Sequence, residues 1–205
     1  MKLFYDLETT GLPKYVDNNI YYPPEQLDKY DTSRIIELGL VLVNNKGDIV
    51  EKYNAIIKPN NFTKLEPIIT KLTGLTDQDI LKGKDLKDVI EEIKPFFKRV
   101  STINAYNIKF DYNVLLSEMY RIHDKEMIQI LIDAKQECTF DLSKKILYIG
   151  SYKMEKVYKE LFKVDPKQDH RAINDAILCK EVYYKLKEVY KENKNKNKNK
   201  NKNKK

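Results

Sequence analysis

The chain has 205 residues, 41% of them hydrophobic and 34% charged, with a net charge of +7 and a pI near 9.1. That length supports one domain with a sizeable core. No apolar run is long enough to span a membrane, and Asp6 and Glu8 interrupt any N-terminal leader. The two cysteines, Cys138 and Cys179, lack metal-ligand spacing and are too few for a disulfide framework. A soluble, intracellular protein, cytoplasmic by default, with reduced thiols is the expectation.

The positive charge is not spread evenly. Residues 191–205 hold eight lysines against one glutamate in a near-pure Lys/Asn alternation, which accounts for the whole net charge. The body, residues 1–190, is close to neutral, so the basic pI is no evidence for nucleic acid. A run of this kind either binds polyanions weakly or stands as a disordered, solvated tail. The tail reading is the expectation, because the run has no apolar residue to bury.

In chain order, residues 2–8 read as a strand. Residues 34–43 form a second, and 48–58 return as a third after the turn Asn44-Asn45-Lys46-Gly47, making an antiparallel pair. Helical periodicity covers 85–99 through Leu86, Val89, Ile90, Ile93 and Phe97, with Pro95 near its end. A short strand at 101–106 precedes a helix at 110–122. Further helices are expected at 139–147, 152–162 and 174–190. Strands first, then strands alternating with helices, describe an α/β fold with a mixed sheet packed by helices. Residues 14–33 show no period. Their tyrosines, Tyr15, Tyr21, Tyr22 and Tyr30, either stack on bases or form a small cluster that pins the loop.

The chemistry begins in the first strand. Residues two apart on a strand share a face, so Asp6 and Glu8 project together. Carboxylates in an apolar strand cost several kcal/mol, on the order of the penalty for a desolvated ion, unless a cation offsets them. Oxygen pairs suit hard divalent cations; the alternative is a pair of ordinary edge-strand acids. Asp111 follows the strand end Ile103-Asn104-Ala105-Tyr106 and opens a helix, as a site residue, a dipole-paired helix acid, or both. His170 and Asp175, five apart, would lie about 140° apart on one helix. If they share a site, His170 must precede the helix and Asp175 must sit in its first turns. His170 is also the side chain suited to take a proton near neutral pH. The second histidine, His123, reads as a solvated residue at a helix end. Two carboxylates, a third acid, a histidine and a fourth acid in this order describe a two-metal centre with a histidine base.

In these residues the chain resembles the DEDDh 3′–5′ exonucleases, the group of epsilon-type proofreading subunits, ribonuclease T and oligoribonuclease. The motif D-x-E-T-T-G-L stands at Asp6 to Leu12, the second motif at Asn104 and Asn107 to Asp111, and H-x-x-x-x-D at His170 and Asp175. Leu72 to Asp77 is similar to the family's segment between the first two motifs. The resemblance covers residues 1–190. It implies a ribonuclease H-like fold, a single domain with a five-stranded mixed sheet. It implies that Asp6, Glu8, Asp111 and Asp175 hold two divalent ions, Mg²⁺ or Mn²⁺, that His170 deprotonates the attacking water, and that Thr9, Thr10 and Asn107 contact substrate. The implied activity is release of nucleoside 5′-monophosphates from single-stranded DNA or RNA 3′ ends, DNA weakly favoured. A noncatalytic binding module, or a proofreading subunit of a separate polymerase, are the alternatives. The insertion at 14–33 departs from the compact members and leaves substrate choice open.

Overall fold

The computed structural model describes residues 1–17, 20–167 and 169–202. Its centre is β1 (Lys2–Thr9), which pairs antiparallel with β4 (Ile35–Val43) and parallel with β7 (Thr102–Ala105). β5 (Ile49–Lys58) continues antiparallel beyond β4, and β8 (Lys135–Cys138) continues parallel beyond β7. A two-residue strand, β6 (Lys84–Asp85), adds a parallel edge on β5, so the mixed sheet has six strands in the order β6-β5-β4-β1-β7-β8 rather than five. Two other short strands, β2 (Tyr15–Asp17) and β3 (Ile20–Tyr21), form a separate hairpin.

The sheet is covered on both faces, which is why all nine residues of β4 are buried. On one face Leu3, Tyr5 and Leu7 of β1 meet α3 (Leu86–Lys98), α4 (Ile108–Ile122) and α5 (Lys125–Asp133) in the largest core. On the other, Phe4, Val41 and Val43 meet Leu178, Cys179 and Tyr183 of the last helix. Two short helices, α1 (Pro67–Thr73) and α2 (Asp77–Leu81), follow β5, and α6 (Thr139–Ile146) and α7 (Met154–Phe162) precede the final α8 (Ala172–Lys202).

Several expectations shift. β8 carries the sequence Lys-Gln-Glu-Cys, with no apolar alternation to mark it; only pairing to β7 makes it a strand. The helices α1 and α2 are too short to show a period, and α5 adds a helix beyond those expected. α2 is held by a reciprocal cap between Thr76 and Asp79, and α1 closes on Gly74 at φ +70. Pro95 stays inside α3, on its exposed face, where water can reach the carbonyl left without a donor. His123 ends α4 with φ +59. α8 is drawn through Lys202 and so takes in most of the Lys/Asn run, whose described side chains are all exposed. No helix of the described residues is long and apolar enough to cross a membrane.

Candidate active site

The polar end of β1 opens on a cleft of about 980 Å³, lined by Asp6, Glu8, Asn107, Asp111, His170 and Asp175 among others. Strand alternation puts Asp6 and Glu8 on the same face as Phe4, which seats that end against the last helix. One carboxylate oxygen from each of Asp6, Glu8 and Asp175 lies within 4.8 Å of the others. Asp111 enters the same cleft from the first turn of α4, itself buried.

Asp175 reaches this point because α8 starts directly over β4. Gly39, opposite Asp6 in the strand pairing, makes the approach possible: a Cβ there would collide with the backbone of Ala172 and Ile173. Glu37, opposite Glu8 and fully buried, fixes the start of the helix. It accepts hydrogen bonds from Arg171 Nη2 (2.7 Å) and Nε (3.0 Å), from the Ala172 amide (3.2 Å) and from Asn54 Nδ2 (2.9 Å). His170 therefore stands just before the helix in the left-handed region, at φ +49. Its Nδ1 is 3.9 Å from Asp175 Oδ2, too far for a hydrogen bond, and its side chain is 46% exposed.

The acids raise one another. Burial, then Asp111, Asp175, Glu8 and Glu37, hold the Asp6 carboxyl well above the usual carboxylate range. Burial, with Asp175, Glu37 and Asp111, pushes Glu8 to about 8 against the pull of Arg171. Burial takes Asp111 to about 7, although the amides of Asp111 and Leu7 donate to it. Among the described residues no lysine or arginine forms an ion pair with Asp6, Glu8 or Asp111. Converging carboxylate oxygens fit a hard divalent ion, which takes oxygen ligands.

Thr9 and Thr10 are occupied by the turn rather than facing the cleft. Thr9 Oγ1 donates to the Gly11 carbonyl (2.7 Å), and Thr10 Oγ1 donates to that of Thr32 (3.0 Å) while accepting from the Arg34 amide (2.9 Å). Thr10 borders a neighbouring groove with Arg34, Asn60 and Lys64. Asn107 does line the cleft, as does Leu72, the last exposed apolar residue of α1. Gly39, Glu37 and Arg171 carry no motif readable in isolation; their role exists only once α8 is laid on β4. An aromatic wall of Tyr106, Phe110, Phe140 and Tyr152 was likewise unread.

An acidic cleft at the end of the central strand of such a sheet defines a metal-dependent nuclease-type fold. The chain belongs to the exonuclease family RNase_T, the DEDDh 3′–5′ exonucleases, whose family pattern matches residues 3–183. It is 28% identical over 187 residues to the PolC-type DNA polymerase III of Thermotoga petrophila, covering 91% of this chain and 12% of that protein. It is 31% identical over 183 residues to the corresponding polymerase of Mycoplasmopsis pulmonis, covering 87% and 11%. The chain thus spans about an eighth of the length of the curated relatives it matches. Among solved structures it is similar to exonuclease X in complex with 5′ overhanging duplex DNA, with a TM-score of 0.63 and 20% identity over 91% of this chain and 90% of that one. The nuclease domain of 3′hExo, a DEDDh family member bound to rAMP, gives 0.67 and 14% over 88% of each. E. coli exonuclease I in complex with a dA16 oligonucleotide gives 0.67 and 20%, over 90% and 40%. These likenesses show the shared ribonuclease H-like fold.

Proposed function

We propose that the chain hydrolyses the last phosphodiester of a single-stranded 3′ end, DNA in preference to RNA, and releases nucleoside 5′-monophosphates. The observation that carries this is the trio of oxygens from Asp6, Glu8 and Asp175, together in a cleft with Asp111. Asp6, Glu8, Asp111 and Asp175 would hold two divalent ions, Mg²⁺ or Mn²⁺. When bound, such ions acidify water and stabilise charge on the attacking and leaving oxygens. His170, half exposed beside Asp175, takes the proton of the attacking water and passes it to solvent. Water oxygen bonds to phosphorus, the bond to the 3′ oxygen breaks, and the shortened strand leaves with a 3′ hydroxyl. Asn107, and the backbone around Thr9 and Thr10, position the terminal nucleotide.

The preference for DNA rests on the relatives, which are DNA polymerases, and on the DNA complexes of exonuclease X and exonuclease I. The same relatives favour a second reading of the setting, proofreading beside a separate polymerase in the cytoplasm. Co-purification of a polymerase with the tagged chain from its own cells tests that reading.

The direct test gives purified chain 5′-labelled single-stranded DNA, duplex DNA and RNA with Mg²⁺ or Mn²⁺. A ladder shortening from the 3′ end is expected, with His170→Ala slowed by about a thousandfold. Wild-type rates in that variant would overturn His170 as the base, whereas single-strand binding without hydrolysis in any metal leaves a binding module instead.

A further inference from the structure

The insertion at 14–33 has two parts with different duties. Its second half is anchored to the body. Tyr30 is fully buried in the main core, and its hydroxyl donates to the Tyr22 carbonyl (2.5 Å). Arg121 of α4 donates to the Leu27 carbonyl (3.1 Å) and pairs with Asp31 (3.0 Å). The Lys14 amide donates to the Lys29 carbonyl (2.8 Å), closing the base of the loop. These contacts suffice to pin the segment.

The β2–β3 hairpin lies outside that anchor and leans on the cleft. Tyr21 sets its ring against Phe110, centroids 6.5 Å apart, and Phe110 lines the cleft. The Asn107 side chain interacts with the Tyr21 hydroxyl and lowers its pKa against the effect of burial. Tyr15 stands edge-on to Tyr21 at 6.3 Å, further from the body. Beyond these rings the hairpin leaves Tyr15, Val16 and Ile20 uncovered at 49%, 60% and 57% exposure. Tyr106, Phe140 and Phe110 all line the cleft, and from Phe110 the ring contacts continue outward through Tyr21 to Tyr15.

We propose that the hairpin is the outer wall of the substrate cleft, and that Tyr21 and Tyr15 stack on unpaired bases next to the 3′-terminal nucleotide. This rests on the exonuclease reading above. Aromatic rings bind bases without regard to sequence, because every base has a π-face, and they need that face free of a stacked duplex neighbour. The chain would accordingly hold single strands and reject paired ends. Stacking would act beside any phosphate contact from Lys153, which lines the same cleft.

The test uses the full chain and two substrates. One is a 12-nucleotide single strand; the other is the p-nitrophenyl ester of thymidine 5′-monophosphate, which has no second base. Tyr15→Ala should raise KM for the strand about tenfold, with a loss on the ester at least fivefold smaller. Tyr15→Phe and Tyr15→Trp should restore the strand KM, because stacking needs a ring and not a hydroxyl. Tyr21→Ala should weaken the strand by a similar factor, and Tyr21→Phe should recover most of it. Binding of a fluorescent single strand in Ca²⁺ reads the hairpin without turnover, and the Tyr15→Ala Kd should rise about tenfold with an unchanged salt slope. Equal losses on strand and ester, or an unchanged Kd in both alanine variants, would overturn the proposal. A wild type that binds through these rings yet hydrolyses neither substrate would overturn the exonuclease reading and leave the hairpin's role standing.

Discussion

Helix α4 carries two buried carboxylates two turns apart, and the fold treats them in opposite ways. Glu118 is met by Arg34, whose Nε and Nη2 donate to its two oxygens at 2.5 and 3.1 Å, with Arg121 at 3.8 Å. Asp111, on the same helix, shares its cleft with Asp6, Glu8 and Asp175 and has no arginine. Glu37 repeats the first pattern only one strand away, taking the whole fork of Arg171. The chain can therefore deliver a guanidinium to a buried acid when the acid is structural. It does not do so in the cleft, where the acids push each other's pKa upward. That contrast is what the proposed divalent ions would resolve.

The largest effect separating these regions should be seen in Asp6→Asn. Hydrolysis in Mg²⁺ should fall by about a thousandfold or more, while the metal-free chain melts at a higher temperature because one repelling charge is gone. A variant that loses activity and also melts lower in EDTA would mean that the cluster is stabilised by something within the chain. Gly39→Ala comes next. Its methyl meets the backbone of α8, so the helix start must move and take Asp175 with it. A displacement near an ångström costs about a hundredfold in rate. Unchanged kinetics would show that α8 does not sit against β4 as described.

Glu118→Ala tests the paired region. It strands the Arg34 guanidinium, only 14% exposed, at a cost of about 3–5 kcal/mol in urea unfolding. Ester hydrolysis per folded molecule should change far less than in Asp6→Asn. A milder contrast comes from pH. Glu8 and Asp111, raised to about 8 and 7, bind protons more tightly in the folded chain than in the unfolded one, where carboxyls titrate near 4. Their contribution is full below about pH 4 and is lost as pH rises through 7 to 8. In EDTA the melting temperature should therefore fall between pH 5.5 and 8.5. The gain on adding Mg²⁺ should be larger at pH 8.5, and an equal gain at both values would separate the metal from these acids. The smallest effect is expected from truncation after Tyr190. If the Lys/Asn run is a solvated tail, stability changes by no more than about 0.5 kcal/mol and hydrolysis of the thymidine ester is retained.

How much of this was legible in the chain follows from which forces are local. The strand at residues 2–8 and the helical spacing of α3 and of the first half of α8 depend on neighbours in sequence and stand close to their expected places, although α8 runs on past its expected end at 190 to Lys202. So does the antiparallel pair β4–β5, whose turn is closed by Asn44 accepting from the Lys46 and Asp48 amides. The order Asp6, Glu8, Asp111, His170, Asp175 also carried the family, because strand and helix periods already limit where such side chains can point. β8 was invisible because its stability lies in the pairing with β7 and not in its residues.

Local pattern was enough for the central strand with its two acids, the order of the remaining acids and histidine, and the charge excess in the last fifteen residues. Folding alone settles that Gly39 admits α8, that the Arg171 fork goes to Glu37, and that Tyr30 enters the core while Tyr21 packs on Phe110. Each of these is a contact between residues far apart in the chain. Close packing and charge pairing act through space, so the partner that settles each outcome is identified only after the chain has closed on itself.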